Sequence, residues 1–273
     1  MKSSSPVFLG GTFIACFILF LGMIGAFWTP YAPQTMDLSH RLSSFSSQHW
    51  LGTDHFGRDV LSLMMSGLSY SLFVAVSAVA LGGFLGFVLA MIATLWGRGI
   101  SGQILAAITD FFFVFPALLV AMLLATLYGP SLFNAVVAIA VFNIPIFFRF
   151  SRALAQMLLA RDHVLAAQAL GQTQFGLLRY HLLPNMAGVL ITQISIQLAM
   201  ALLAEASLSY LGLGVPTPLP SLGRMLQDAQ TYMSSMPRLA LLPGGLIAFA
   251  VLGFNLLGDG LRDKLDIRRL QTF

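Results

Sequence analysis

Charged residues are scarce in this chain. They make up 9% of its 273 residues, whereas soluble domains usually contain about 25%. Hydrophobic residues account for 58%, and the mean hydropathy is +0.85. A water-soluble fold of this size could not bury so much apolar surface, so lipid must form part of the protein's solvent. The net charge of +4 is too small and too dispersed to predict a nucleic-acid-binding surface.

Cysteine and lysine are nearly absent as well. The single cysteine, Cys16, lies in an apolar run, which excludes a disulfide framework. The only lysines are Lys2 and Lys264, and neither follows a GxxxxGK[ST] loop, so the chain cannot bind ATP through a P-loop. The histidines are dispersed, and we predict no metal site and no catalytic triad. His55 beside Asp54 is the one pair that suggests a metal ligand, and a turn or capping role is the alternative that we favour.

Uninterrupted apolar runs predict an all-α membrane protein with six transmembrane helices. Such a helix needs about 20 mostly apolar residues. Residues 7–28 form the first, which we interpret as a retained anchor because no signal-peptide cleavage site follows it. The charge-free stretch 111–148 is too long for one helix, and a Gly-Pro turn at residues 128–131 divides it into the third and fourth. The other three are predicted at about residues 68–96, 186–204 and 239–257.

The distribution of basic residues predicts the orientation. Six transmembrane helices place both termini on one side, and we expect that side to be the cytoplasm because inner segments are enriched in Lys and Arg. In this orientation the inner basic residues outnumber the outer ones, Arg41, Arg58, Arg224 and Arg238; the inner ones are Lys2, Arg98, Arg149, Arg152, Arg161, Arg179, Arg262, Lys264, Arg268 and Arg269.

These runs divide the chain into three parts. Residues 1–66 contain the anchor helix and a first outer loop, residues 67–260 form the core transmembrane domain, and residues 261–273 form a cytoplasmic tail. Within the core, residues 149–185 form an inner loop. Apolar residues recur there at helical spacing until Gly171, a second short amphipathic stretch follows, and Pro184 opens the fifth transmembrane helix. The pattern predicts a helix–turn–helix, and an amphipathic helix on the membrane surface explains the periodicity equally well.

The inner loop resembles the EAA loop of ABC importer permeases. In that pattern three residues separate Glu-Ala-Ala from a glycine and a Leu-Pro pair closes the loop, as at Ala166, Ala167, Gly171, Leu183 and Pro184. Leu165 departs from the pattern because it stands where the family usually has glutamate. The resemblance implies an ATPase-coupling loop in which the alanines keep the contact with the ATPase close, the glycine permits the turn and Leu-Pro passes the movement on; its residues are Ala166, Ala167, Gly171, His181, Leu183, Pro184 and Asn185.

Three further segments resemble the peptide and nickel group of these permeases. Residues 49–60 are similar to its LGTDxxGRD signature, residues 207–214 to SFLGLG, and residues 254–263 to NLLGDxLRDxLDPR. Ser69 stands where arginine is frequent, and Ile267 where proline is usual. The implied outer-loop motif consists of Gly52, Thr53, Asp54, Gly57, Arg58 and Asp59.

The resemblance implies a C-type permease with the type I ABC importer permease fold and a cytoplasmic coupling helix. It implies a bacterial inner-membrane protein that pairs with a second, B-type permease and with one or two ATPase subunits, which bind ATP and Mg. A separate extracytoplasmic binding protein would select the substrate. The chain itself would be non-enzymatic and bind no cofactor. Di- or oligopeptides are the expected substrate, and nickel, metallophores or glutathione are the alternatives.

Three polar residues in apolar surroundings are candidates for the translocation path. Asp110 begins the predicted third transmembrane helix, where it could instead reach the membrane interface and favour the helix dipole. Asn143, close to Pro145, could mark a broken helix or a packing kink. Glu205 could line the path or form a structural hydrogen bond.

Two other classes of function stay open at this point. A secondary transporter would need inverted repeats or coupling acids near the membrane midplane, and we find no internal repeat. A channel or passive scaffold would need no coupling loop. Neither class explains the spacing of the inner loop.

Overall fold

The computed structural model describes residues 6–97, 100–114 and 116–269, and its regular structure is helical apart from one bridge between Thr53 and Asp59. Lys2, Arg98 and residues 270–273 of the predicted tail lie outside the described residues. The α-helices are α1 (Pro6–Phe27), α2 (Val60–Met91), α3 (Ile100–Val114), α4 (Ala117–Tyr128), α5 (Leu132–Leu159), α6 (Asp162–Ala169), α7 (Gln174–Gly176), α8 (Leu183–Tyr210), α9 (Leu222–Ala229) and α10 (Arg238–Arg269).

Five helical stretches of the described chain are long and apolar enough to cross a membrane. They are Pro6–Phe27, Val60–Trp96, Leu132–Leu159, Gln174–Tyr210 and Arg238–Lys264. The second continues from α2 through a π-helical turn at Ile92–Trp96, and the fourth begins with α7 and a π-helical turn at Leu177–Leu182. The prediction of an all-helical membrane protein is confirmed.

The predicted third transmembrane helix differs from the structure. Instead of one continuous helix, the chain forms the shorter apolar helices α3 and α4. Proline has no backbone N–H and disfavours a helical conformation in the residue before it. Pro116 therefore ends one helix and serves as the N-cap of the next, with its carbonyl accepting from the N–H groups of Leu119 and Val120.

Close contact between α2 and α5 forms the centre of the bundle. A Cβ atom at Gly82 would lie 2.5 Å from the carbonyl oxygen of Ala140, and one at Gly86 would lie 2.4 Å from that of Ile144. Small residues allow helix backbones to approach in a bilayer, where lipid tails offer no hydrophobic drive for association. Helix α8 packs on both of these helices and on α10, and α1 lies on the outside against α10 and α2.

Two helix boundaries differ from the prediction for local reasons. Helix α2 begins at Val60, before the predicted residue 68, because the Asp59 side chain caps it by accepting from the N–H of Ser62 at 2.9 Å. The helical pattern of the inner loop is interrupted, because α5 ends at Leu159 and the extended residue Arg161 precedes α6.

Three connecting segments contain residues of the predicted motifs. Loop A is residues 28–59, loop B is residues 211–237, and the α6–α7 hairpin is residues 160–182. The hairpin precedes α8 and loop B follows it, so these two segments lie at opposite ends of the same helix. Loop A contacts loop B through Arg58 and Asp228, and it contacts the start of α10 through Arg238.

We predict that Gly86→Leu destabilises the bundle. Its side chain would meet the α5 backbone, which cannot move aside as a flexible side chain can, and overpacking typically costs about 1–3 kcal/mol. Thermal unfolding in detergent should show a lower midpoint for this variant. Gly245→Leu, at an exposed position of α10 with no atom within 4 Å of its Cβ, is the matched control. Equal midpoints for the two variants would contradict the role of the close α2–α5 contact.

Candidate functional site

The α6–α7 hairpin turns at Gly171. The N–H of Gly171 donates to the carbonyl of Gln168 at 3.0 Å, and that of Gln172 donates to the carbonyl of Ala167 at 3.1 Å. These two bonds and a φ of +80° at Gly171 form a Schellman motif, for which glycine is the preferred residue. A Cβ atom at Gly171 would meet nothing within 4 Å, so only the backbone conformation requires glycine there.

Large apolar side chains are exposed on the hairpin. The exposed fractions are 48% for Leu165, 89% for Leu170, 66% for Phe175 and 66% for Tyr180. Ala166 is also exposed, and Ala167 is half-buried. Small and apolar side chains of the hairpin thus leave much of their surface uncovered by the described chain. The leucine that replaces the family's glutamate adds to this apolar surface.

The remaining predicted coupling residues tie the hairpin to α8. His181 Nε2 lies 2.9 Å from Gln172 Oε1, and the side-chain amide of Asn185 donates to the His181 carbonyl at 2.6 Å. Leu183 and Pro184 form the first turn of α8 directly after the π-helical turn. The hairpin therefore continues into α8 without a flexible joint.

The predicted outer-loop motif is an internal hydrogen-bonded turn. Asp54 Oδ1 accepts from the N–H groups of Phe56 and Arg58, at 2.8 and 2.9 Å. Asp54 Oδ2 is 2.6 Å from Nη2 of Arg58, and these two side chains are 9% and 17% exposed. Of the turn or capping role that the sequence favoured at His55 and Asp54, Asp54 forms the turn, and Asp59 caps α2.

The other motif residues close loop A. Thr53 Oγ1 accepts from the Ser43 N–H at 2.9 Å, and Asp59 Oδ1 lies 2.9 Å from Nδ1 of His49. Gly52 and Gly57 have φ values of +73° and +75°, and both lie against other backbone, so a side chain at either position would clash. The motif residues thus hold loop A in its folded conformation.

Loop A is joined to loop B and to the start of α10 by contacts that the sequence did not predict. Arg238 donates to the carbonyls of Leu51 and Ser43, at 3.1 and 2.6 Å. Asp228 Oδ2 lies 3.9 Å from Nη2 of Arg58, and the rings of His55 and Tyr232 stack at 5.3 Å. No local pattern marks Asp228 or Arg238, because each acts on a segment far away in the sequence.

The three path candidates lie apart from one another. Asn143 is buried, and its amide donates to the Ile139 carbonyl one turn earlier at 2.9 Å. Glu205 is fully buried, and its Oε1 accepts from Ser209 Oγ at 2.6 Å. Each side chain makes an internal hydrogen bond and keeps one buried oxygen, Asn143 Oδ1 or Glu205 Oε2, without a hydrogen-bond partner in the described chain.

Asp110 has a partner that the sequence analysis missed. The guanidinium of Arg149 on α5 binds its Oδ1, with Nε at 2.9 Å and Nη2 at 2.8 Å. Both side chains are about half exposed. One feature of the sequence could have suggested the pair: Asp110 and Arg149 border the two ends of the charge-free stretch 111–148.

Among the described residues, no group of three or more His, Cys, Asp or Glu side chains is placed to hold a metal ion. The structure is that of a polytopic membrane protein with a polar, internally bonded surface at one end and an exposed apolar hairpin at the other.

Comparison with known proteins identifies the family. Residues 82–271 match the family model of the binding-protein-dependent transport system inner membrane component. This match covers more than two thirds of the chain, which therefore belongs to that family and is a multi-pass inner-membrane permease subunit of an ABC importer. It is a non-catalytic transport subunit, and ATP binding lies with a partner ATPase.

Relatives match nearly the whole chain. It is 37% identical to the dipeptide transport system permease protein DppC of Alkalihalophilus pseudofirmus, over 97% of this chain and 87% of that protein. It is 34% identical to the probable D,D-dipeptide transport system permease protein DdpC of Escherichia coli, over 97% and 89%. The glutathione transport system permease protein GsiD of Pectobacterium atrosepticum is 36% identical, over 92% and 84%.

A solved structure has the same fold. A chain of the inward-facing MetNI methionine ABC transporter aligns with a TM-score of 0.60 and 17% identity. The alignment covers 74% of this chain and 97% of that one.

We predict that Asp54→Asn loosens loop A. Asparagine keeps the shape but leaves the Arg58 guanidinium without its carboxylate, and breaking a largely buried ion pair costs about 3–5 kcal/mol. Limited proteolysis should cut loop A faster in this variant.

Asp37→Asn provides the control within the same loop. The Asp37 side chain is 50% exposed, and hydrogen bonds from the side chains of Ser39 and His40 lower its pKa to about 2. This variant should be cut at the wild-type rate. Equal rates for wild type and Asp54→Asn would show that the Asp54–Arg58 pair does not hold the loop.

Proposed function

We propose that this chain is the C-type permease of a peptide importer and that an ATPase subunit acts on its α6–α7 hairpin. The observation that carries the proposal is the exposed apolar surface of the hairpin, where Leu170 is 89% exposed and Phe175 is 66% exposed. Large exposed apolar side chains mark contacts with another protein or with a membrane surface, and the proposal assigns these to an ATPase subunit. The EAA-like spacing of Ala166, Ala167 and Gly171 supports the same interpretation.

The hairpin is suited to pass a displacement to the membrane domain. Thr173 caps α7 by accepting from the Gly176 N–H, and the helical path then runs from Gln174 to Tyr210. A force on Phe175 is therefore delivered to the backbone of α8. In this mechanism Leu183 and Pro184 transmit the movement. His181 and Asn185 stabilise the π-helical turn that precedes α8.

The proposed orientation places the hairpin in the cytoplasm. Arg161 and Arg179 lie on the hairpin, and Arg149 and Arg152 lie on the part of α5 that leads to it. In this orientation the opposite side has four arginines and the side of the hairpin has eight. An excess of basic residues on the cytoplasmic side supports this orientation, with both termini cytoplasmic.

We propose six membrane crossings, with α3 and α4 in series as the third. Their 15 and 12 residues give a combined length of about 40 Å at about 1.5 Å per residue, enough for a hydrocarbon core of about 30 Å. This arrangement is the six-helix type I importer fold that the sequence predicts. Its proposed parts are residues 1–66, 67–260 and 261–273.

The proposed assembly contains a second, B-type permease and one or two ATPase subunits that bind ATP and Mg. An extracytoplasmic binding protein would dock on loops A and B, whose polar contacts give them a fixed shape. Relatives named for dipeptide transport support di- or oligopeptides as the substrate. Glutathione, for which one relative is named, and nickel or a metallophore are the alternatives within the same mechanism.

Copurification tests the assembly. The tagged chain, purified gently from its native membrane, should bring a second permease and one or two P-loop ATPases in stoichiometric amounts, identified by mass. A binding protein that copurifies can then be assayed with dipeptides, glutathione and nickel. A chain that transports while it copurifies only with itself would overturn the proposal and favour a secondary transporter.

We predict that Gly171→Leu abolishes peptide uptake while the protein still inserts. The variant strains the turn by about 1–2 kcal/mol and places a bulky side chain on the proposed ATPase contact. The measurements are uptake into membrane vesicles and the amount of ATPase that copurifies.

Gly212 offers a matched control at the other end of α8. It also has a positive φ, +78°, a Schellman motif and no atom within 4 Å of a Cβ. Gly212→Leu should therefore carry a similar strain and still retain the ATPase. Full uptake by the Gly171→Leu variant would exclude a coupling role for the hairpin turn.

A further inference from the structure

Glu205 on α8 is the only glutamate of the chain, and its side chain has no exposed surface. It lies within the apolar helical stretch Gln174–Tyr210. The largely buried carboxyl of Asp54 differs, because it is paired with Arg58. No ion pair within the described part of the chain includes Glu205. A negative charge on Glu205 would therefore be buried without a counter-ion, which is strongly unfavourable in a membrane helix.

Two serines surround the carboxyl of Glu205. Ser209, one turn later on α8, donates from its Oγ to Glu205 Oε1 at 2.6 Å. Ser71 on α2 is close enough to interact with the same carboxyl, and it is buried as well. Among the described residues, neither Glu205 Oε2 nor Ser71 Oγ makes a hydrogen bond of ordinary geometry. Two unsatisfied polar atoms of neighbouring side chains thus lie between α2 and α8.

A proton on Glu205 Oε2 would satisfy both of these atoms. The protonated carboxyl can donate from Oε2 to Ser71 Oγ and still accept from Ser209 at Oε1. An ionised carboxyl could accept from both serines, but two hydroxyl groups do not supply the positive charge that a buried carboxylate needs. The surroundings of Glu205 therefore suit a neutral carboxylic acid.

Loop B is bonded to the same network. Ser209 Oγ accepts from the Val215 N–H at 3.2 Å, near the start of the loop. Farther along loop B, Ser221 lies against α2, where a Cβ atom at Gly67 would be 3.2 Å from the carbonyl carbon of Ser221. Gly67 precedes Ser71 by one helical turn. Loop B thus contacts both helices beside the serines that surround the carboxyl.

We propose that Glu205 is an uncharged carboxylic acid that positions loop B by joining Ser71 on α2 to Ser209 on α8. Its consequence for transport rests on the proposed function, in which loops A and B receive the binding protein. With this network intact, the position of loop B stays linked to the movement of α8. Glu205 is already fully covered by its own chain, so it acts through the two serines and not through contact with the substrate.

Infrared spectroscopy tests the protonation state. Because Glu205 is the only glutamate, labelling with isotope-substituted glutamate marks one side-chain carboxyl in the purified full-length chain. We expect the labelled band at neutral pH to be the carbonyl stretch of a protonated acid, and Glu205→Gln should lose this band. A labelled carboxylate band in its place would overturn the assignment.

Conservative replacement tests the role in transport. The Glu205→Gln side chain is neutral, can donate to Ser71 and can accept from Ser209, so this variant should keep dipeptide uptake into membrane vesicles. Glu205→Asp is one methylene shorter and Glu205→Ala has no polar group, so both should lose at least tenfold in uptake. Loss of uptake by Glu205→Gln would contradict the neutral acid, and full uptake by the other two variants would exclude a positioning role. Where Glu205→Ala fails to insert, the glutamine and aspartate variants decide.

A matched pair of serine variants tests the link to loop B. Ser209→Ala removes the acceptor of the Val215 N–H, whereas Ser207→Ala changes an exposed side chain that donates to the Leu203 carbonyl of its own helix. Hydrogen exchange at Val215 in the complete transporter should be at least tenfold faster in Ser209→Ala and unchanged in Ser207→Ala. Equal rates would show that the network does not hold loop B. The exchange rates depend on neither substrate nor binding protein, so a failure of the proposed function is recognised separately.

Discussion

A bilayer core has no water to bind polar groups, and every part of this structure is arranged around that constraint. The backbone satisfies itself in long helices, and α2 and α5 associate through glycines that bring their backbones into contact. Departures from this arrangement are few and local. The interruption at Pro116 and the buried carboxyl of Glu205 each place a polar group where lipid cannot solvate it.

Proline 184 shows how the same constraint is met at the start of α8. Proline offers no N–H to the preceding turn, and its ring crowds the carbonyl four residues earlier. The helix widens into a π-helical turn at Leu177–Leu182 just before it, and the Asn185 side chain binds the His181 carbonyl. The helical path therefore stays continuous through a position where proline would otherwise break it. This continuity is what allows a hairpin outside the membrane to act on a helix within it.

Local chemistry explains which features could be predicted from the sequence. Apolar runs locate the long helices, and Gly171 and Pro184 mark the turn and the helix start because their backbone limits are intrinsic. Asp54 and Arg58 are close in sequence, so their turn could also be anticipated. The interruption of the third predicted helix was missed although Pro116 was visible, because apolar composition alone suggested one continuous crossing. The first part of α3, which begins at Ile100, was also missed, because it lacks an apolar run as strong as the one that follows Asp110.

Contacts between residues that lie far apart in the chain could not be predicted from the sequence. Arg149 meets Asp110, and Arg238 meets loop A, only once the bundle has formed. Helix α8 then connects the two ends of the molecule. At its far end, Ser209 donates to Glu205 and accepts from the Val215 N–H, so the start of loop B is bonded to the helix. In the proposed mechanism, one rigid helix thus joins the surface on which the ATPase acts to the surface that receives the binding protein. In this mechanism a displacement at the hairpin passes toward loop B along the continuous helical path from Gln174 to Tyr210.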